Sequence, residues 1–239
     1  MSQQGFGFDD GAPRVPSVPD LVWKTIAMDP PWPENGGGKV KRGADRHYKT
    51  MPVSKIYELV PTVLGYGYDQ YGRISSTRHV AADAHCWIWT TSNYRREGQR
   101  LMELLGFDYK CDWVWIKLRN DCETVEGASP CDVAEACLQT GLGQYGRKAH
   151  EYLLFGSRGK AQVPPTDFRP PSVFFAPRVK KSTGRDYHSA KPDVWYDIVE
   201  QVSPGPYLEL FSRKSHGQHW TPWGNEVGKR DATEACAAQ

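Results

Sequence analysis

Short apolar runs alternate with amphipathic stretches along this chain, in the rhythm of strand and helix. Residues 26–28 form an unbroken apolar run that stops at Asp29, which predicts a buried strand. A helix is expected from Pro52, with Ile56, Leu59 and Val60 on its buried side. Residues 61–82, rich in Gly and Tyr, read as a loop. A second buried strand follows at 86–89 and ends in the polar corner 90–93. Next come a helix over 99–105, closed by Gly106 in the C′ position, and a strand over 113–116. Further strands are expected at 152–155, 173–175 and 207–211. A helix opens at Pro192 and Asp193, carries Val194, Ile198, Val199 and Val202 on its apolar face, and stops at Ser203-Pro204-Gly205. The alternation predicts an α/β fold with a mainly parallel central sheet and helices on both faces.

The first strand ends in Asp29-Pro30-Pro31-Trp32. Proline fixes its own φ and restricts the residue before it, so the chain leaving the strand is stiff and holds Asp29 and Trp32 in a set relation. Ligands of open α/β sheets bind at the carboxyl ends of the strands, where this corner falls. Such a corner suits methyl transfer to an exocyclic amine on an aromatic ring. The Asp29 carboxylate and the Pro30 carbonyl would accept the two amine hydrogens, and Trp32 would offer a flat face to the base. A tight loop with a solvated acid and a core Trp is the plain alternative.

Composition narrows the picture. At 239 residues the chain fits one domain or two small ones, and a net charge of +2 leaves any basic nucleic-acid footprint to be sought locally. The expected organisation is a loose lead-in at 1–19, a main domain at 20–228 with substrate-facing loops at 33–47 and 117–148, and a small polar tail at 229–239. Lys39, Lys41 and Arg42 make the glycine-rich first loop basic, suited to closing on phosphates. Arg147 and Lys148 offer the same chemistry in the second. The six cysteines lack any C-x-x-C pair and read as reduced thiols in a cytoplasmic protein, with no metal site. No apolar run approaches the roughly 20 residues that span a bilayer.

Gly141-Leu142-Gly143-Gln144-Tyr145-Gly146 matches G-x-G-x-x-G literally, but a strand rather than a helix is expected after it, so a dinucleotide site is rejected. Glu151, at the start of the following strand, reads equally as a solvated acid or as a partner for a base or ribose. Lys191 precedes a helix N-terminus, a place suited to an anionic group. Glu209 is either a buried acceptor or a surface acid.

Three blocks taken in order, Asp29-Pro30-Pro31-Trp32, His188-Ser189-Ala190-Lys191-Pro192, and Leu208-Glu209-Leu210-Phe211-Ser212-Arg213 with Trp223-Gly224-Asn225-Glu226, resemble the adenine N6-methyltransferases. That family includes the catalytic subunit of the messenger-RNA adenosine methyltransferase and small bacterial and phage enzymes. The resemblance covers residues 20–228 and implies a Rossmann-like methyltransferase fold that uses S-adenosylmethionine. By resemblance, Asp29, Pro30, Pro31 and Trp32 hold the target adenine, and Asp29 also touches the donor. Lys191 binds the donor's carboxylate, Arg213 and His216 its ribose, and Asn225 and Glu226 its adenosine. Tyr48 and Glu151 match substrate positions. The glycine-rich donor loop of many amino-methyltransferases is replaced here by Phe211-Ser212-Arg213.

The leading expectation is N6-methylation of adenine in DNA by a phage or bacterial type of enzyme, with RNA as the second substrate. A homodimer, or a heterodimer with a related subunit, is the assembly to test. Two other classes stay open: a catalytically silent partner that binds nucleic acid, and an enzyme methylating a small-molecule or protein amine.

Overall fold

A computed structural model describes residues 19–33, 50–120, 137–141, 145–179, 190–225 and 227. In chain order the elements are β1 (Trp23–Met28), α1 (Val53–Val63), β2 (Tyr66–Tyr68), β3 (Ile74–Thr77), β4 (Val80–Thr90), α2 (Arg95–Leu104) and β5 (Asp108–Leu118). They continue with β6 (His150–Arg158), β7 (Val173–Pro177), α3 (Val194–Val202), β8 (Tyr207–Leu210) and β9 (Trp220–Trp223). Seven strands form one sheet in the order β7-β5-β6-β4-β1-β8-β9. β6 runs antiparallel to both its neighbours, and every other pairing is parallel. The carboxyl ends of β1, β4, β5, β7, β8 and β9 therefore share one edge with the start of β6. The mainly parallel α/β fold expected from the alternation is the fold observed.

Period-two alternation sorts the side chains between two cores. On one face Ile26, Met28, Cys86, Ile88, Leu154 and Leu208 pack under Ile56 and Val60 of α1 and Leu101 and Met102 of α2. On the other, Ala27, Trp87, Trp89, Trp113, Trp115, Leu153 and Phe155 pack under Trp195, Ile198, Val199 and Val202 of α3. Helices thus cover both faces. Chain leaving β1 passes to the α1 side, whereas chain leaving β8 returns over α3, where His216 stacks on Tyr196. The connections diverge between β1 and β8, which is where an open sheet forms its crevice.

Several expectations need correction. Residues 61–82 contain the end of α1, the antiparallel hairpin β2–β3 and the start of β4. The Gly- and Tyr-rich composition read as loop because it supplies the turn, while long-range contacts hold the strands. Arg158 donates to Tyr66 Oη (2.9 Å) and to the Val80 carbonyl (2.8 Å), clipping the hairpin to the sheet. β9 was not anticipated, since it contains Pro222; at a sheet edge a residue without an N–H is tolerated. Val194 is exposed, and α3 buries Trp195 and Tyr196 instead. Cys86 and Cys111 are free thiols, but Cys137 is disulfide-bonded, so the expectation of six reduced cysteines fails there.

Other expectations stand. α2 is closed by Gly106 in the C′ position, which adopts φ 72° and donates its N–H to the Glu103 carbonyl at 2.9 Å. The residues after Gly146 enter β6, not a helix, as the rejection of a dinucleotide motif requires. Among the described residues no helix is long and apolar enough to cross a membrane.

Candidate active site

Alternation along the strands places charge at the rim of the tryptophan-rich face. Asp29 continues the side of Ala27, Lys117 the side of Trp113 and Trp115, and Glu151 the side of Leu153 and Phe155. All three stand at the carboxyl edge of the sheet beside Lys191, which approaches α3. Lys191 Nζ is 2.8 Å from Asp29 Oδ2 and 3.2 Å from Glu151 Oε2. Lys117 Nζ pairs with the other Glu151 oxygen, Oε1. The result is a chain of alternating charge, Asp29–Lys191–Glu151–Lys117, running from β1 to β5.

Tryptophan rings support both cations. Lys191 Nζ lies 5.3 Å from the Trp89 ring centroid, and Lys117 Nζ lies 5.0 Å from that of Trp115. Lys191 therefore crosses above β4 to link β6 with β1. Burial alone would raise the Glu151 carboxyl, but Lys117 and then Lys191 outweigh it and hold it down to about 2. The side chains of Lys191 and Glu151 are 10% and 13% exposed, whereas Asp29 keeps 25%, so the acid at the β1 corner is the member open to a ligand.

The corner itself is fixed by its backbone. The Trp32 N–H donates to the Pro30 carbonyl at 2.7 Å, and the Met51 N–H to the Pro31 carbonyl at 2.8 Å. The Pro30 oxygen already accepts one bond and has a second lone pair left. Trp32 departs from expectation. It is only 7% exposed, its indole N–H donates to the Trp89 carbonyl at 2.9 Å, and its ring lies parallel to Tyr94 with centroids 5.7 Å apart. Trp32 is thus a pin that locks the corner to β4, not an open platform for a base.

On the far side of β1, Glu209 pairs in register with Ala27 and is buried. Tyr196 and Ser212 both donate hydroxyl hydrogens to its Oε2, at 2.9 and 2.8 Å. Burial pushes the carboxyl up to about 7 against those two bonds, and the Asp29 charge adds to the rise. His216 stacks on Tyr196 with ring centroids 3.7 Å apart. The Ser212 N–H donates to the Trp223 carbonyl at 2.9 Å, joining the ends of β8 and β9. Gly224 fits there because a Cβ would lie 2.4 Å from the Ser212 carbonyl oxygen. Arg213, half-buried, and Asn225, exposed, open onto the same edge.

The structure thus joins Asp29, Lys191 and Glu151 directly and sets Arg213, His216 and Asn225 after β8 and β9. Lys148 donates to Asn93 Oδ1 at 2.9 Å, and Arg147 is exposed beside it. Lys39, Lys41, Arg42, Tyr48 and Glu226 lie outside the described residues. Lys117 was missed. Extending the predicted strand by one residue would have placed it on the face of Trp115, next to Glu151. Among the described residues no group of three or more His, Cys, Asp or Glu side chains is arranged to hold a metal ion.

Comparison with known proteins places this edge in context. The chain is 26% identical over 216 residues to the N6-methyladenosine RNA methyltransferase MTA1 of Pyricularia oryzae, covering 86% of this chain and 47% of that protein. It is 25% identical over 214 residues to the human N(6)-adenine-specific methyltransferase METTL4, covering 87% of this chain and 38% of that protein. MTA1 of Cryphonectria parasitica is 26% identical over 222 residues, covering 87% and 52%. The chain spans about half the length of these relatives or less. The MT-A70 family model matches residues 69–226, well over half of the sequence, and the chain belongs to that family.

Proposed function

We propose that this chain transfers a methyl group from S-adenosylmethionine to the N6 amino group of adenine in nucleic acid. The carrying observation is the Lys191–Asp29 contact of 2.8 Å: a lysine that already binds a carboxylate beside a helix N-terminus, next to an acid left open at the strand edge. The residues present suit the donor. Lys191 matches its carboxylate, and Arg213 and His216, set after β8, match its ribose hydroxyls. When bound, S-adenosylmethionine supplies an electrophilic methyl group on a sulfonium sulfur.

The chain's own work is positioning. Asp29 accepts one hydrogen of the adenine amine and the Pro30 carbonyl accepts the other, which draws the nitrogen toward tetrahedral geometry. The bond to Asp29 is also the path by which the amine's excess proton leaves. Trp32 and its bond to Trp89 keep both acceptors from drifting. Lys148 and Arg147, with the basic residues of 39–42, supply the charge that meets a phosphate backbone.

DNA is the substrate we put first; in a duplex the adenine must be flipped out, at a cost of a few kcal/mol. RNA is the second reading, favoured by the two fungal relatives, which are named as RNA methyltransferases. The purified chain, incubated with labelled donor and separate DNA and RNA pools, should place label on 6-methyladenine. Label on cytosine alone, or on neither pool, would sink the proposal.

A further inference from the structure

Lys117 has no part in the chemistry just described, yet it is among the most enclosed cations of the site. Its side chain and that of Glu151 are each 13% exposed. Taking a charge out of water is unfavourable unless it is paired, so a lysine kept here needs a reason beyond solvation. Its surroundings are built. Trp115 lies under its ammonium, and its N–H donates to the Ala149 carbonyl at 2.8 Å, which fixes its strand against β6. Its only salt-bridge partner among the described residues is Glu151, whose second oxygen holds Lys191.

We propose that Lys117 is a positioning residue of the transfer site, acting through Glu151 to set where Lys191 stands between Asp29 and the donor's carboxylate. This deepens the methyl-transfer reading and rests on it. Glu151 has two oxygens and two lysines. With Lys117 holding Oε1, Glu151 offers Lys191 a single acceptor at 3.2 Å, longer than the 2.8 Å that Lys191 makes to Asp29. Lys191 is therefore held more loosely by Glu151 than by Asp29, and a ligand carboxylate takes the place of Asp29. Without Lys117 both Glu151 oxygens turn to Lys191, which is drawn toward β6 and away from the donor.

Among the described residues the charged groups facing Glu151 are Lys117 from β5, Lys191 from the approach to α3 and, beyond Lys191, Asp29 from β1. β4 contributes the uncharged Trp89 ring. His150 and Tyr152 lie on the opposite face of β6 and bond to each other. Loss of Lys117 removes the stronger of two counter-charges and leaves the burial penalty in place. The Glu151 carboxyl then protonates at higher pH.

The test uses the full chain and the variants K117M, K117R, E151Q and K117M/E151Q, with donor affinity by calorimetry and kcat/KM for the donor followed against pH. K117M should bind the donor about tenfold more weakly, a typical coupling between residues of one ion network, with its acid limb displaced upward by about a unit. K117R should restore both. The double variant should match E151Q alone, and because it strands no buried charge it keeps the comparison valid if K117M folds poorly. If wild type binds the donor and K117M shows its pH profile unchanged, or the two losses add in the double variant, Lys117 has no positioning role. A wild-type chain that binds no donor overturns the methyl-transfer reading and this proposal together.

Discussion

Lys191 Nζ sits 2.8 Å from Asp29 Oδ2, so the cation proposed for the donor is paired with the acid proposed for the acceptor. A ligand carboxylate that takes Lys191 uncovers Asp29, which couples the two binding events. We expect an adenine-containing oligonucleotide to bind roughly tenfold more tightly with S-adenosylhomocysteine present than without it. The product keeps the carboxylate, so fluorescence anisotropy can read this without turnover. In Lys191→Met the difference should vanish. Equal affinities in the wild-type chain would mean that the ion pair is not exchanged.

Asp29 and Lys191 should also separate in kinetics. Asp29→Asn keeps shape but accepts a hydrogen bond without a charge, and turnover should fall by about two orders of magnitude or more. Donor affinity should stay within a few-fold of wild type in equilibrium dialysis, whereas Lys191→Ala should weaken it about tenfold. Equal loss of donor affinity in both would erase this division of labour.

Trp32 belongs to stability first. Trp32→Phe retains a ring against Tyr94 and deletes the hydrogen bond to the Trp89 carbonyl, leaving a buried acceptor unmet. Urea denaturation should show a loss of about 1–2 kcal/mol. Donor affinity should change little. A variant as stable as wild type would show that the corner is held by its prolines alone.

What the sequence disclosed was local, and what it hid was distant. An apolar run closed by Asp29 and two prolines announces a strand end by itself, and strand–helix alternation is enough to put that end on the functional edge. Burial of Trp32 depends on Trp89 and Tyr94, far along the chain, and no local pattern reports it. The hairpin β2–β3 was hidden because the glycines and tyrosines of 65–72 carry turn chemistry, while what clips it in place is Arg158. Glu209 stayed ambiguous for the same reason: its acceptor role is settled by Tyr196 on α3. Lys117 was lost to a boundary placed two residues early, where period two already pointed to the tryptophan face.

Gly224 tests the junction of β8 and β9. In Gly224→Ala the new Cβ would meet the Ser212 backbone, 2.4 Å from its oxygen and 2.9 Å from its nitrogen, neither of which can swing aside. β9 is an edge strand, so the chain should still fold while Arg213 and Asn225 are displaced. Donor affinity should drop about tenfold or more, since small misplacements in a binding constellation are expensive. Unchanged calorimetry would place the donor elsewhere on the edge.

Two buried groups pull the pH dependence of stability in opposite directions. His85 Nδ1 lies 2.8 Å from Ser203 Oγ, which also accepts from the Trp87 indole, and burial lowers the imidazole from 6.5 to about 4. The unfolded chain binds that proton more readily, so the His85 contribution is complete above 6.5 and is lost as pH falls toward 4. Glu209 is raised from 4.5 to about 7; its contribution is complete below 4.5 and is lost as pH rises through 7. Each is worth about 3 kcal/mol at full extent. Between 4.5 and 6.5 the two slopes oppose, and the wild-type chain should show little change from this pair. His85→Gln leaves the Glu209 slope, so its stability relative to wild type should fall as pH rises across that window. Glu209→Gln leaves the His85 slope and should show the reverse. Urea unfolding at pH 4.5, 5.5 and 6.5 measures both against a common background of other carboxylates. Three parallel curves would mean that neither group is perturbed as its burial requires.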